Sequence, residues 1–278
     1  MNKNFFKKSI LISLAFSLTI ISKNFYSYTN HSSKNTIAAF NHKVNSPIEK
    51  VLYAAYLTNI YQTANLYASG LSADVFYKAA TGFYNLKKTA NLNHDKSILT
   101  IVDFNQPSHT KRMWIVDLQK STLILNTWVA HGQGSGDDMA SLFSNIDSSH
   151  QSSLGFYLTG EIYTGKHGSS LRLDGLDANF NSNARQRDIV IHGAPYVSQQ
   201  TINNIGRLGR SFGCPAVAPE LTYSIINLLK DKTVLFINGS DSKYNSKYLD
   251  QNIAATYLFP NANKPAPVQG TLNNAIIH

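Results

Sequence analysis

Cysteine is almost missing from this chain: among 278 residues there is one, Cys214. A lone thiol cannot pair within its own chain. That excludes an internal disulfide framework and leaves a buried inert group, a link to another molecule, or a reactive group. A long hydrophobic run is missing as well. The apolar stretch near the N-terminus, Ile10 to Ile21, is twelve residues long, short of the ~20 that a bilayer-spanning helix needs. Lys3, Lys7 and Lys8 precede it, and positive charge followed by a short apolar run reads as a secretory signal over residues 1–27. No small-x-small site follows, so the cut is not placed and an uncleaved anchor stays open. The absence of a cysteine near Ile21 removes the lipoprotein route. The expected location is the periplasm or the cell envelope.

Charge is sparse too. With 15% charged and 43% hydrophobic residues the chain reads as globular, and the roughly 250 residues after the signal suffice for a real core. Acidic residues are outnumbered 16 to 25, for a formal charge of +9, which favours anionic surroundings. Three of the lysines sit in the signal, however, and no stretch interleaves basic and aromatic residues as a nucleic-acid groove does. Nucleic acid is therefore not an expected partner, and a solvated basic face is the plainer reading. No internal repeat is present.

Residues 28–45 are rich in Ser, Asn and Lys and read as a linker. A helical segment follows over 46–96. Ser46, Pro47 and Glu49 form a capping box on a helix with Ile48, Leu52, Ala55 and Tyr56 along one face. A second helix places Val75, Phe76, Ala79, Ala80, Phe83 and Leu86 together. From Ser97 the period becomes that of strands, in "SILTIVDF", "RMWIVDL", "STLILNTWVAHG", "GFYLTGEIY", "SLRLDGL" and "RDIVIHGA", then a helix "APELTYSIINLLK" and a strand "KTVLFING". The fold class is mostly β, α+β, over 97–239, with a C-terminal tail at 240–278. Trp114, Trp128 and Phe156 are expected in the core, and His150 and His167 on surface loops.

The one cysteine lies in "GRLGRSFGCPAV". An ordinary thiol is only a few per cent ionised at neutral pH, so a cysteine nucleophile needs a base beside it. The obvious supplier is His192, at the end of the apolar run "DIVI" and followed by Gly193, which lets the backbone turn. Gly213 permits close approach of a substrate, and the N–H groups of Gly213 and Cys214 are candidates for holding an oxyanion. Pro215 restricts Cys214 to extended conformations. The helix beginning at "APE" would favour a negative sulfur.

These stretches, "IHGAPYVS" and then "GRLGRSFGCPAV", resemble the active-site pattern of the YkuD-type murein L,D-transpeptidases. "VAHGQGSG", "FSN", "SSLGFYLTGEIYTGKHGSSLRLDGLD" and "R.IVIHGA" extend the likeness from about Ser97 to Gly239. The resemblance implies a β-sandwich or barrel-like core and acyl transfer on peptidoglycan stem peptides through a thioester, with hydrolysis of the same bonds as the alternative outcome. It implies Cys214 as nucleophile, His192 as base and the Gly193 carbonyl as the group orienting the imidazole. Ser211 matches the first residue of the nucleophile motif. Phe212 stands where many members have His, and "PAV" where many have Arg. Arg207 and Arg210 are candidates for the positive charge that a substrate carboxylate needs, with plain surface arginines as the other reading. Tyr196 and His131 complete the candidate substrate contacts, His131 being equally readable as a satisfied structural histidine. Carbapenem-type β-lactams are implied inhibitors, and the chemistry calls for neither cofactor nor metal.

Three rival readings exist. "GRSFG" satisfies the G-x-S-x-G serine elbow, but the only later histidine is His278, whereas that fold places its histidine after the serine. A zinc peptidase would use His131, seven residues before Asp138, with His150, His167 or His192, though no tight ligand pair such as H-E-x-x-H is present. A wall-binding module with a dead site is the non-enzymatic alternative.

Overall fold

The short apolar runs after residue 97 form eight strands of one sheet in the computed structural model, which describes residues 48–89, 92–166 and 168–262. The expected signal, the linker, Ser46, Pro47 and His167 lie outside the described residues. Two helices come first, α1 (Ile48–Thr63) and α2 (Ala73–Thr89). The strands β1 (Ile98–Asp103), β2 (Met113–Asp117), β3 (Thr122–Thr127), β4 (Gly155–Gly165), β5 (Gly168–Gly175) and β6 (Val190–Gly193) follow. Then come α3 (Gln199–Ile205), β7 (Ala216–Val217), α4 (Pro219–Leu229), β8 (Val234–Asn238) and α5 (Gln251–Leu258).

Across the sheet the order is β3-β2-β1-β8-β4-β5-β6-β7. Strand β8 thus inserts between β1, to which it is parallel, and β4, to which it is antiparallel. Every residue of β1, β2 and β8 is buried, and successive residues serve opposite faces, as a pleated strand requires. Leu99, Ile101, Trp114, Val116, Val234 and Phe236 join the cluster that holds α1 and α2. Ile98, Val102, Met113, Ile115, Leu235 and Ile237 join a second cluster with Ile225, Ile226 and Leu229 of α4. The sheet also curls back on itself. Beyond β3, Ala130 bridges Ala216 of β7 and Gly132 bridges Ser211, tying the two outermost strands into the barrel-like α+β core that was expected.

Helices α1, α2 and α5 pack as one layer with β1, β2, β4 and β8. Gly82 of α2 admits Phe156 of β4: a Cβ there would stand 2.0 Å from the Phe156 ring. Helix α1 buries Tyr53, Leu57, Ile60 and Tyr61, not the face of Ile48, Leu52, Ala55 and Tyr56 that simple apolar spacing suggests. The reason is that both buried tyrosines find hydroxyl partners, Tyr53 on Thr81 Oγ1 and Tyr61 on the Leu71 carbonyl, so large amphipathic rings go inside at little polar cost.

Two more expectations are corrected. Trp114 and Phe156 are fully buried, but Trp128 is half-buried, with its indole N–H donating to the His109 carbonyl at 3.1 Å. The segment after Gly239, expected as a tail, is built into the molecule as far as α5, whose Ala254 and Ala255 lie in the helical core. Polar ties hold it there. The buried Asp177 carboxylate accepts from the Phe156 N–H at 2.8 Å, the Tyr244 hydroxyl at 2.9 Å and the Ser246 hydroxyl at 2.6 Å, and Asn85 donates to the carbonyls of Tyr248 and Asp250.

Candidate active site

The loop that carries Cys214 is pinned on both sides before the cysteine is reached. It leaves α3 through Gly206, a C-cap at φ 74° whose N–H bonds the Ile202 carbonyl. The Gly209 N–H then donates to the Tyr196 carbonyl, and Ser211 N–H to the His131 carbonyl at 3.0 Å. Gly132 lies so near that a Cβ on it would be 2.8 Å from the Gly213 Cα. Gly213 itself has φ +125°, a conformation that side chains rarely adopt. Ser152 completes the clamp, accepting from the Gly132 N–H and donating to the Gly213 carbonyl, each at 3.0 Å.

His192 reaches the same place from the neighbouring parallel strand. It sits near the end of β6, paired in register with Ala216 of the parallel strand β7 and with Ser170 of β5. Two residues back along both parallel chains lie Val190 and Cys214, so the imidazole and the thiol are borne by adjacent segments. The sulfur lies 3.5 Å from the Asp188 carbonyl, to which the thiol donates, and the Val190 amide bonds the sulfur. His192 is buried, and its Nδ1 is 3.0 Å from the Gly193 carbonyl. A carbonyl only accepts, so Nδ1 carries a proton and the Gly193 carbonyl fixes the orientation of the ring. The first turn of α4 backs this corner: a Cβ on Gly193 would meet Thr222 Oγ1 at 2.3 Å.

The electrostatics at the sulfur pull in both directions. Burial pushes the Cys214 thiol above its ordinary value, while the Val190 amide and the Arg187 guanidinium favour the thiolate. The side chain is nonetheless partly exposed to solvent.

A family model described as the L,D-transpeptidase catalytic domain, of the YkuD type, matches residues 67–238. The chain belongs to the L,D-transpeptidase catalytic-domain family. No curated protein matches it significantly. Among solved structures it is similar to an L,D-transpeptidase from Mycobacterium smegmatis, at 10% identity and a TM-score of 0.34, over 52% of this chain and 59% of that one. It is similar to the helical cell shape determining protein Pgp2 from Campylobacter jejuni, at 15% identity and a TM-score of 0.37, over 63% of this chain and 60% of that one. A third match is an L,D-transpeptidase solved in complex with imipenem, at 10% identity and a TM-score of 0.32, over 51% of this chain and 59% of that one. The chain thus spans about three-fifths of the length of the first of these structures.

Within this L,D-transpeptidase domain the other candidate residues take places that sequence alone did not reveal. Ser211 is buried and spends its hydroxyl inside the loop, donating to the Cys214 carbonyl at 2.6 Å and accepting from the Gly213 N–H at 3.0 Å. It is therefore a positioning group rather than a substrate contact, and it is unsuited to be the nucleophile of a serine elbow. The same bond occupies the Gly213 N–H. The Cys214 N–H makes no hydrogen bond among the described residues. His131 is fully buried behind the loop, so it does not line the cleft. Its Nδ1 accepts from Arg112 Nη2 at 2.7 Å, and burial followed by the Arg112 cation pushes its pKa down to about 4. A guanidinium at that distance also makes this ring a poor zinc ligand, and Asp138 is bonded to Ser108 and His109. Arg210 is held by Asp137 at 2.8 Å and by the Gly136 carbonyl, and Arg207 lies 3.7 Å from the same carboxylate, so neither is a free cation. Tyr196 does adjoin the site. Burial, then the charge of Cys214, pushes its pKa up to about 12.

Two neighbours of the site were not picked out as functional. Arg187 lies within the quoted "R.IVIHGA" stretch, so a signal for it existed. His150, expected as a plain surface residue, stacks on the exposed Phe212 ring at 4.5 Å and 21° and is held by Gln133 at 3.0 Å. No local pattern announces a contact across that sequence distance.

Proposed function

We propose that this chain is a cysteine-dependent L,D-transpeptidase acting on peptidoglycan stem peptides in the cell envelope. The observation that carries the reading is the adjacency of β6 and β7. It sets His192, with Nδ1 committed to the Gly193 carbonyl, beside the segment that bears the chain's one thiol. Gly193 is thereby the residue that fixes which nitrogen acts. The envelope location rests on the charged and apolar order of residues 1–27.

His192 Nε2 takes the Cys214 proton, and the sulfur adds to the carbonyl carbon of a stem-peptide amide. The oxyanion so formed faces the Cys214 N–H. The C–N bond breaks, the departing amine takes the proton from His192, and a thioester remains on Cys214. An amine of a second stem then attacks the thioester, its proton passes to His192, and the C–S bond breaks to give a new amide. Water in place of the amine gives hydrolysis. Burial raises the thiol pKa, which is why a base beside the sulfur is needed.

The test is incubation of the whole chain with defined muropeptides and intact-mass analysis, with Cys214→Ala as control. The expected result is an acyl adduct on the native protein and a cross-linked or exchanged product, both missing in the variant. A carbapenem should leave its mass on the native chain alone. Products that persist in Cys214→Ala would defeat the proposal, and persistence of wall binding alone would favour the dead-site module.

A further inference from the structure

The guanidinium of Arg187 is placed where three segments of the site meet. Its Nη1 donates to the Ser144 carbonyl at 2.6 Å and to Ser153 Oγ at 3.2 Å, and its Nη2 to the Gln151 carbonyl at 2.7 Å and Ser149 Oγ at 3.3 Å. One side chain therefore gathers the whole 144–153 stretch. That stretch lies against the nucleophile loop: a Cβ on Gly213 would stand 2.8 Å from the Gln151 carbonyl oxygen and 3.4 Å from Arg187 Nη2. Arg187 also directly precedes Asp188, a non-glycine residue at φ 51° whose carbonyl receives the Cys214 thiol. Backbone strain of that kind persists where surrounding structure over-determines it. Finally, Arg187 Nε is buried with no hydrogen-bond partner among the described residues. An unmet buried donor is costly.

We infer that Arg187 is the positioning residue of the nucleophile: it packs the 144–153 stretch against Gly213, aims the Asp188 carbonyl at the thiol and holds a fixed positive charge beside the sulfur. The inference deepens the transpeptidase reading and rests on it for its biological purpose, but its physical content concerns the thiol alone. A cation beside a sulfur favours the thiolate. The charged and titratable groups around Cys214 are Arg187 and Asp188 before β6, His192 on β6, Tyr196 after it and Lys166 in the turn between β4 and β5. Asp147 and Tyr157 are further titratable groups that act on Arg187. Of the two cations near the sulfur among the described residues, Lys166 is exposed in a turn, whereas Arg187 is bound in place by four hydrogen bonds.

Because the chain has a single cysteine, alkylation reports on this site and no other. The rate of iodoacetamide labelling, followed by intact mass from about pH 6 to 11, should shift its midpoint upward by about one pH unit in Arg187→Gln, a roughly tenfold loss of thiolate at fixed pH. Arg187→Lys, which keeps the charge, should return most of that shift, whereas loss of bracing alone would affect both variants alike. An unchanged midpoint in a folded Arg187→Gln protein overturns the inference. Should that variant not fold, Lys166→Gln, altered only at an exposed turn, decides the matter. Its ratio of iodoacetate to iodoacetamide rates should exceed that of a free peptide thiol several-fold, because the remaining cation attracts the anionic reagent. A ratio equal to that of the peptide refutes it. Neither measurement uses a muropeptide, so a shifted profile in a protein that turns over no muropeptide would sink the proposed function and leave this inference standing.

Discussion

Taking the chain from about pH 7.5 to about pH 4.5 should cost it about 3 kcal/mol of folding stability through one side chain, His131. In the native state this imidazole is fully buried and accepts from Arg112, itself fully buried over the Phe104 ring. Burial and the neighbouring cation both oppose protonation, and the pKa falls to about 4 from an ordinary 6.5. The unfolded chain binds a proton at His131 once the pH drops below about 6.5, whereas the folded chain resists until about 4. Stability is thus fully present above 6.5 and lost progressively as the pH falls toward 4, at about 1.4 kcal/mol per unit of pH. The comparison to make is with His131→Asn, whose side-chain oxygen can accept from Arg112 and cannot titrate. Urea unfolding at both pH values should show a native protein that loses about 3 kcal/mol more than the variant on acidification, the difference removing what every other group contributes to both. Equal losses in the two proteins would refute the reasoning. The consequence reaches the site, because the His131 carbonyl holds the Ser211 N–H.

Three further outcomes follow from the same contacts. His192→Gln should slow transfer on muropeptides by about 10²–10⁴ at neutral pH, and a rate within threefold of native would remove His192 from the role of base. Ser211→Ala deletes the acceptor of the Gly213 N–H and the donor to the Cys214 carbonyl; urea titration should show a loss of about 1–3 kcal/mol, and an unchanged midpoint would mean the clamp is dispensable. Gly132→Ala puts a Cβ 2.4 Å from the His150 carbonyl oxygen, a backbone atom that cannot swing aside. It should destabilise by about 1–3 kcal/mol and change the Cys214 alkylation rate, and native behaviour in both assays would show that the two loops separate without penalty.

The parts of the fold that were legible are those with a local cause. Alternating residues in "SILTIVDF" and "RMWIVDL" reach opposite faces because a pleated strand leaves them no other choice, and the buried face of α2 follows from its 3.6-residue spacing. Helix α1 misled because its burial turns on Tyr53 and Tyr61, whose hydroxyls need partners on a different segment. The same failing hid the segment leading into α5: its anchor is Asp177, and "SDSKYNSKYLDQ" shows no apolar period that would betray a carboxylate almost seventy residues earlier.

What the sequence by itself determined was the chemistry on offer: one thiol followed by proline, and a histidine at the end of an apolar run followed by glycine. Only the tertiary structure decided which polar groups were still free to act. Arg210 is spent on Asp137, 73 residues away, and Ser152 on Gly213, 61 residues away. Ser211 and the Gly213 N–H are spent on the loop itself. A side chain's type is a local property, but its remaining hydrogen-bonding capacity and its charge state depend on whatever the fold brings against it.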